Sequence, residues 1–365
     1  MNFYKKIIVV SGINMTDTGK LSILNDCLEC LSIHYSSDYE IVALIPNISL
    51  ANFKNVKYKF YPISKKSWLF RLYYEYVYFY FLSKNLNPYL WLSLHDITPN
   101  AVAFKKAVYC HNPSPFYTVP LDHVFYDFKF TLFSYFYKYL YSINLKKNNF
   151  VVVQQHWLKR AFEKIYKINT VIVSYPVRAV NNAEHFENMV DNQQVFKFVY
   201  PSAPRIFKNF EIICEATHIL GGKQLNFEVY LTIDGSENAY TRDIYKKYSS
   251  LPNIKFIGLQ TRDQVTNLYA ESNCLIFPSK LETWGLPISE YKNFGKPMIV
   301  ADLPYARETV GNYSMSCFFN PNDAFQLSQL MEMSILRASS FSDHTNDKAF
   351  TPHAENWEEL FKILI

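Results

Sequence analysis

Residues 275–311, LIFPSKLETWGLPISEYKNFGKPMIVADLPYARETVG, contain two strand-length apolar runs on either side of a helix-length segment. The first run breaks at Pro278-Ser279, and the second, Met298 to Ala301, follows the turn residues Gly295-Lys296-Pro297. This spells strand, loop, helix, turn, strand, a βαβ unit that commits the chain to a parallel sheet. Gly285 permits close backbone approach to a ligand, and Pro287 fits a first helical turn, where a missing N–H costs nothing. Amides at that helix start favour an anion. Glu282 lies in the loop before the helix and Glu290 about one turn inside it, so both carboxylates can address one ligand carrying hydroxyls as well as phosphates. As isolated charges they also suit ordinary dipole pairing, with acid early and lysine late in the helix.

The same alternation recurs along the chain. Strands are expected at 6–10, 40–46, 90–94, 107–110 and 150–154, and again at 196–200, 227–233, 255–257 and 274–277. Helices are expected at 20–34, 209–220, 263–270, 287–294 and 323–339. Between the two series, 179–194 is polar and aperiodic, a linker composition. The organisation expected is therefore α/β, with a first domain over 1–178, a linker over 179–194, a second domain over 195–350 and a C-terminal helix within 351–365.

Composition narrows the function classes. At 365 residues the chain suits two domains, and 49% apolar content supplies a core for each. A formal charge of +5 is too mild to point to nucleic acid, and it is compatible with an anionic substrate or a membrane surface. The six cysteines form no framework, and Cys27 with Cys30 reads as two residues on one helix face. The N-terminus reads as a first strand rather than a signal peptide, and no run is long and apolar enough to span a bilayer, so a reduced, cytoplasmic protein is expected. The 29 Tyr and 30 Phe crowd into 68–82 and 125–141. Both stretches read as helices, either buried or lying at a lipid headgroup interface, where aromatic rings and Lys or Arg are at home.

The string FPSKLETWGLPISEYKNFGKPMIV resembles the donor-binding signature of glycosyltransferase family 4, the retaining GT-B enzymes. The Pro-Ser break, the Gly-Leu pair, both glutamates and their spacing agree. The resemblance implies two Rossmann-like domains facing across a cleft, with the C-terminal helix crossing back onto the first. It implies that Glu282 contacts the donor sugar and Glu290 holds the ribose. Trp284, Gly285 and Leu286 would meet the diphosphate and sugar, and Gly258 and Leu259 would pack on the nucleobase. By position, Gly12 and Gly19 resemble the family's glycine loop, although Lys20 stands where a second glycine is usual. Lys208 matches the family's leaving-group lysine, while Arg205 substitutes for an arginine that usually lies nearer Ser202. His111, at a strand end, takes the place of the histidine that reaches the donor sugar. His95, Asp96 and Asn112 are expected on the acceptor side, a structural His–Asp hydrogen bond being the alternative for the first two.

The activity implied is transfer of a hexose or deoxyhexose from a nucleotide diphosphate sugar to a hydroxyl of a glycan acceptor, free or lipid-linked. Retention of configuration, no cofactor and no obligatory metal are expected. The setting implied is bacterial O-antigen or capsule synthesis at the inner face of the cell membrane. Two alternatives stay open: a nucleotide-sugar epimerase or phosphorylase on the same fold, and a catalytically idle binding module.

Overall fold

The computed structural model describes residues 5–15, 18–175, 195–336 and 351–365. The expected linker at 179–194 lies outside them. Two compact units form: Met1–Phe116, Phe133–Ala179 and Thr351–Ile365 make the first, and Tyr117–Leu132 with Val180–Phe350 make the second.

In chain order the first unit contains β1 (Lys6–Ser11), α1 (Thr18–His34), β2 (Tyr39–Ile45) and β3 (Val56–Phe60). An almost continuous helical stretch follows: α2 (Trp68–Tyr73), a π-helical turn over Tyr74–Tyr78, and α3 (Phe79–Leu86). Next come β4 (Leu90–Ser93), β5 (Lys105–Cys110), β6 (Phe150–Val153), α6 (His156–Tyr166) and β7 (Val171–Val173); between β5 and β6 in the chain lie α4 (Leu121–Tyr126), which falls in the second unit, and α5 (Phe128–Ser142), which falls in the first from Phe133 on. The seven strands lie in the order β3-β2-β1-β4-β5-β6-β7, all parallel. Apolar runs such as Ile8–Val10 are buried on both faces, as a parallel sheet covered by helices demands. From α1, Leu24, Cys27, Leu28 and Leu31 recur at helical spacing and fill one core, with Cys30 beside them. Cys27 and Cys30 are thus free thiols in a packed face.

The second unit carries β8 (Phe196–Tyr200), α7 (Phe210–Leu220), β9 (Phe227–Leu231), α8 (Ala239–Tyr248), β10 (Ile254–Phe256), α9 (Arg262–Glu271) and β11 (Cys274–Phe277). After it come α10 (Leu286–Lys292), β12 (Met298–Ala301), α11 (Pro304–Val310), β13 (Ser316–Phe319) and α12 (Ala324–Ile335). Its parallel sheet runs β10-β9-β8-β11-β12-β13. The last helix, α13 (Trp357–Leu364), returns to the first unit. There Leu360, Phe361 and Leu364 join the core under α1, and the Ile365 carbonyl accepts from Tyr89 Oη and Lys105 Nζ.

Both sheets are doubly wound, and each is the Rossmann-like α/β arrangement expected from sequence. Residues 117–132, which sequence assigns to the first domain, cluster with the second unit instead. Four contacts tie them there: Phe130 packs on Phe207 with ring centroids 5.0 Å apart, Asp127 pairs with Arg205, and Tyr126 meets both Tyr240 and Asp243. The helix expected over 125–141 accordingly breaks at Asp127, whose carboxylate accepts from the Phe130 amide at 2.9 Å and caps α5.

Candidate functional site

In a doubly wound sheet, ligands bind beyond the carboxyl ends of the strands where the winding reverses. In the second unit that point lies between β8 and β11. The loop after β8 delivers Arg205 and Lys208, and the loop after β11 delivers Glu282. The fold therefore joins residues 74 positions apart: Lys208 Nζ forms a half-buried ion pair with Glu282 Oε1. Lys208 is held from behind, since its carbonyl accepts from the buried Tyr200 hydroxyl at 2.8 Å. Asn209 follows in the left-handed region at φ 60°, and its amide donates to the carbonyls of Pro278 and Pro321, locking the turn. Arg205 points elsewhere, exposed and paired with Asp127 at 3.1 Å.

Gly285 precedes α10 at φ +85°, a conformation that an L side chain resists; a Cβ there would also lie 3.2 Å from Ile288 Cδ1. Trp284 is buried, its indole N–H donating to Ser289 Oγ at 2.8 Å and its carbonyl accepting from Thr309 Oγ1, whereas Leu286 is exposed. Glu290 lies on α10, where the Tyr269 hydroxyl of α9 donates to its Oε2 at 3.2 Å. Burial first, and then the carboxylate, pushes the Tyr269 phenol up, so it stays a donor. Gly258 and exposed Leu259 follow β10.

In the first unit the winding reverses between β1 and β4. Gly12 follows β1, and a Cβ there would come within 2.9 Å of Leu24 Cδ1, so α1 sits against bare backbone. Gly19 and Lys20 fall in the first turn of α1. His95 and Asp96 follow β4, and His111 and Asn112 follow β5. Asp96 is buried at φ 72°; its Oδ1 accepts from the amides of His111 (2.5 Å) and Asn112 (3.0 Å) and from the Tyr141 hydroxyl (3.0 Å). His95 Nε2 meets Ser11 Oγ at 3.0 Å, and Arg71 Nη2 donates to the His95 carbonyl at 3.0 Å. His111 Nε2 lies 2.7 Å from the Leu94 carbonyl, which only accepts, so the proton sits on Nε2. Its ring stacks on Tyr109 at 4.5 Å. Asp96, His111 and Asn112 line one cavity of about 520 Å³ together with Asn14, Trp68 and Arg71.

Sequence reasoning missed the helical side of that cavity. Arg71 and Glu75 stand at i and i+4 in an otherwise aromatic stretch, and that spacing was the available signal. Burial raises the Glu75 carboxyl to about 8, with Arg71 only partly opposing the shift. Tyr200, Asn209 and Tyr269 were also missed, having no motif to mark them.

The family model of Glycosyl transferases group 1 matches residues 181–342. The O-antigen chain mannosyltransferase RfbU of Salmonella typhimurium is 24% identical over 256 residues, covering 68% of this chain and 67% of that protein. Among solved structures, the lipopolysaccharide outer core galactosyltransferase WaaB in apo form superposes with a TM-score of 0.63 at 13% identity, over 91% of each chain. HepE of Anabaena, in complex with UDP-glucose, superposes with a TM-score of 0.59 at 14% identity, over 93% of this chain and 92% of its own.

Proposed function

We propose that the chain is a GT-B glycosyltransferase, a reading supported by the match of residues 181–342 to the glycosyl transferases group 1, and that it moves a hexose or deoxyhexose from a nucleoside diphosphate sugar to a hydroxyl of a glycan acceptor, with retention of configuration. The observation that carries this reading is the meeting of Lys208 and Glu282 at the winding reversal of the second sheet, with Glu290 on the adjoining helix. A lysine there neutralises a departing diphosphate, Glu282 takes hydroxyls of the sugar, and Glu290 takes those of the ribose. In this reading the Lys208–Glu282 pair opens on donor binding, and the diphosphate replaces the carboxylate as the lysine's partner. Gly258 and Leu259 form the wall for the base, and the segment from Trp284 to Leu286 meets the diphosphate and sugar. Arg205 adds charge if it leaves Asp127. His111 serves the donor sugar, with His95, Asp96 and Asn112 on the acceptor side. No metal is assigned a role.

The neighbours support the setting. RfbU is named for O-antigen chains and WaaB for lipopolysaccharide outer core, so the acceptor proposed is a bacterial surface glycan, free or on a lipid carrier at the inner face of the membrane. Among the described residues no helix is long and apolar enough to cross a membrane. The exposed aromatic rings of α2 and α5, such as Phe70, Tyr73, Phe128 and Tyr135, offer an interfacial contact.

The test is release of nucleoside diphosphate from UDP-, GDP-, dTDP- and ADP-sugars, with and without a glycan acceptor and with and without chelator. Acceptor-dependent release that falls at least tenfold in Lys208→Ala, with nucleotide affinity changing less, supports the reading. Conversion of the nucleotide sugar without any acceptor would replace it with epimerisation or hydrolysis.

A further inference from the structure

We propose that the cavity of the first unit binds a sugar phosphate, with the phosphate on Arg71 and the neighbouring Lys65 and Lys66. This rests on the glycosyltransferase reading and gives the acceptor a chemical class.

Arg71 is 5% exposed yet lines the cavity. Its Nη2 donates to the His95 carbonyl, while its Nε has no hydrogen-bond partner among the described residues. The nearest carboxylate, Glu75 on the same helical stretch, lies 3.9 Å from Nε, outside hydrogen-bond reach. Its two oxygens are buried without hydrogen bonds, although Oε1 lies 3.3 Å from His95 Nδ1. Burial raises this carboxyl to about 8, which weakens it as a counter-charge for the guanidinium. Among the described residues Asp96 is the one carboxylate lining the cavity, and its Oδ1 accepts from two amides and the Tyr141 hydroxyl. Lys65 and Lys66 are exposed at the rim. Among the described lining residues, three cations face the one carboxylate of Asp96, whose Oδ1 is engaged.

A buried arginine with an unpaired N–H is costly unless something completes it. A phosphate does so, because its oxygens match the guanidinium fork. The walls describe the rest of the ligand. The Trp68 ring, 4.9 Å from the Arg71 guanidinium, stands with Phe133 and Tyr137 around a space large enough for a monosaccharide, and the Asn112 amide nitrogen is a buried donor without a hydrogen-bond partner. Aromatic faces take sugar rings and amides take their hydroxyls, so a sugar phosphate matches the arginine, the Asn112 amide and the aromatic walls together. The phosphate can belong to a soluble sugar or to the diphosphate of a lipid carrier.

Hydrogen exchange on the full chain separates this site from the donor site, because each reports on its own peptides. The probes are glucose 1-phosphate, methyl glucoside as the neutral control, and a polyprenyl diphosphate sugar in phosphatidylcholine vesicles against empty vesicles. Protection of 62–76 and 111–116 by glucose 1-phosphate supports the site with a soluble source; protection only by the loaded vesicles supports it with a lipid source. Lys65→Gln/Lys66→Gln, at exposed positions, is expected to weaken that protection roughly tenfold in apparent affinity and Arg71→Gln further, with Arg71→Lys restoring part. Equal protection by methyl glucoside, no protection by either phosphate probe, or full affinity in the folded lysine variant would overturn the proposal. UDP and GDP protection of 205–209 and 282–290, followed in parallel, tests the donor reading independently. Its loss with 62–76 still protected would sink the transferase reading and leave the phosphate site standing.

Discussion

At the scale of single residues, the chain spends its unusual electrostatics on two pairs. Lys208 and Glu282 hold each other beyond the carboxyl ends of the second sheet, whereas Arg71 Nε and Glu75 Oε1 stand 3.9 Å apart, outside hydrogen-bond reach. Glu75 makes a pH prediction. Its carboxyl is raised from 4.5 to about 8, so the folded chain keeps a proton that the unfolded chain releases. That contribution is complete below the unfolded pKa and is lost as pH rises through the folded one. Glu75→Gln preserves the shape without the charge. Urea midpoints should match the parent near about pH 5 and exceed it near about pH 9, by on the order of a few kcal/mol. Parallel pH curves for the two proteins would contradict the buried carboxyl. Glu290 and Tyr269 make a binding prediction. Glu290→Ala should weaken nucleotide affinity about tenfold or more, and Tyr269→Phe less, because the phenol only orients the carboxylate. Calorimetric titration with UDP and GDP checks both, and unchanged affinity in Glu290→Ala removes it from the ribose.

At the scale of elements, the βαβ unit from β11 to β12 was legible because every local signal agreed: apolar runs, a proline in the first helical turn, and glycines at the bends. Gly285→Ala tests that unit. The φ of +85° and the approach to Ile288 predict a loss of about 1–2 kcal/mol, seen in denaturation, together with weaker nucleotide binding. Other elements were hidden for definite reasons. The edge strand β3, VKYKF, buries chiefly Val56, so it has no apolar run to read. Helix α8, AYTRDIYKKY, is polar outside the face bearing Tyr240, Ile244 and Tyr248, although Asn238 and Thr241 form a capping box at its start. The aromatic stretches were read as helices, but neither the π-helical turn at Tyr74–Tyr78 nor the break at Asp127 has a sequence mark of its own. In the first, the widened turn carries buried Glu75.

At the scale of the molecule, two sheets share one winding order, and the chain changes unit at residues 117, 133, 180 and 351. The last change makes the C-terminal helix part of the first core. Phe361 there is wholly buried and packs on Tyr35 with ring centroids 5.6 Å apart. Phe361→Ala should cost about 3–5 kcal/mol, read as a lowered urea midpoint for the first unit. A loss under about 1 kcal/mol would mean that α13 merely rests on the surface. Periodicity and turn chemistry were enough to specify an α/β chain of two parallel sheets, and the resemblance of local strings to a glycosyltransferase family singled out Glu282, Glu290 and Lys208, because such patterns are local. Which distant residues meet is not a local property. The pairing of Lys208 with Glu282, the diversion of Arg205 to Asp127 and the transfer of 117–132 to the second unit all depend on where loops land in the packed chain. Only the packed chain decides that, since the energies concerned arise from burial and from charges brought together across long stretches of sequence.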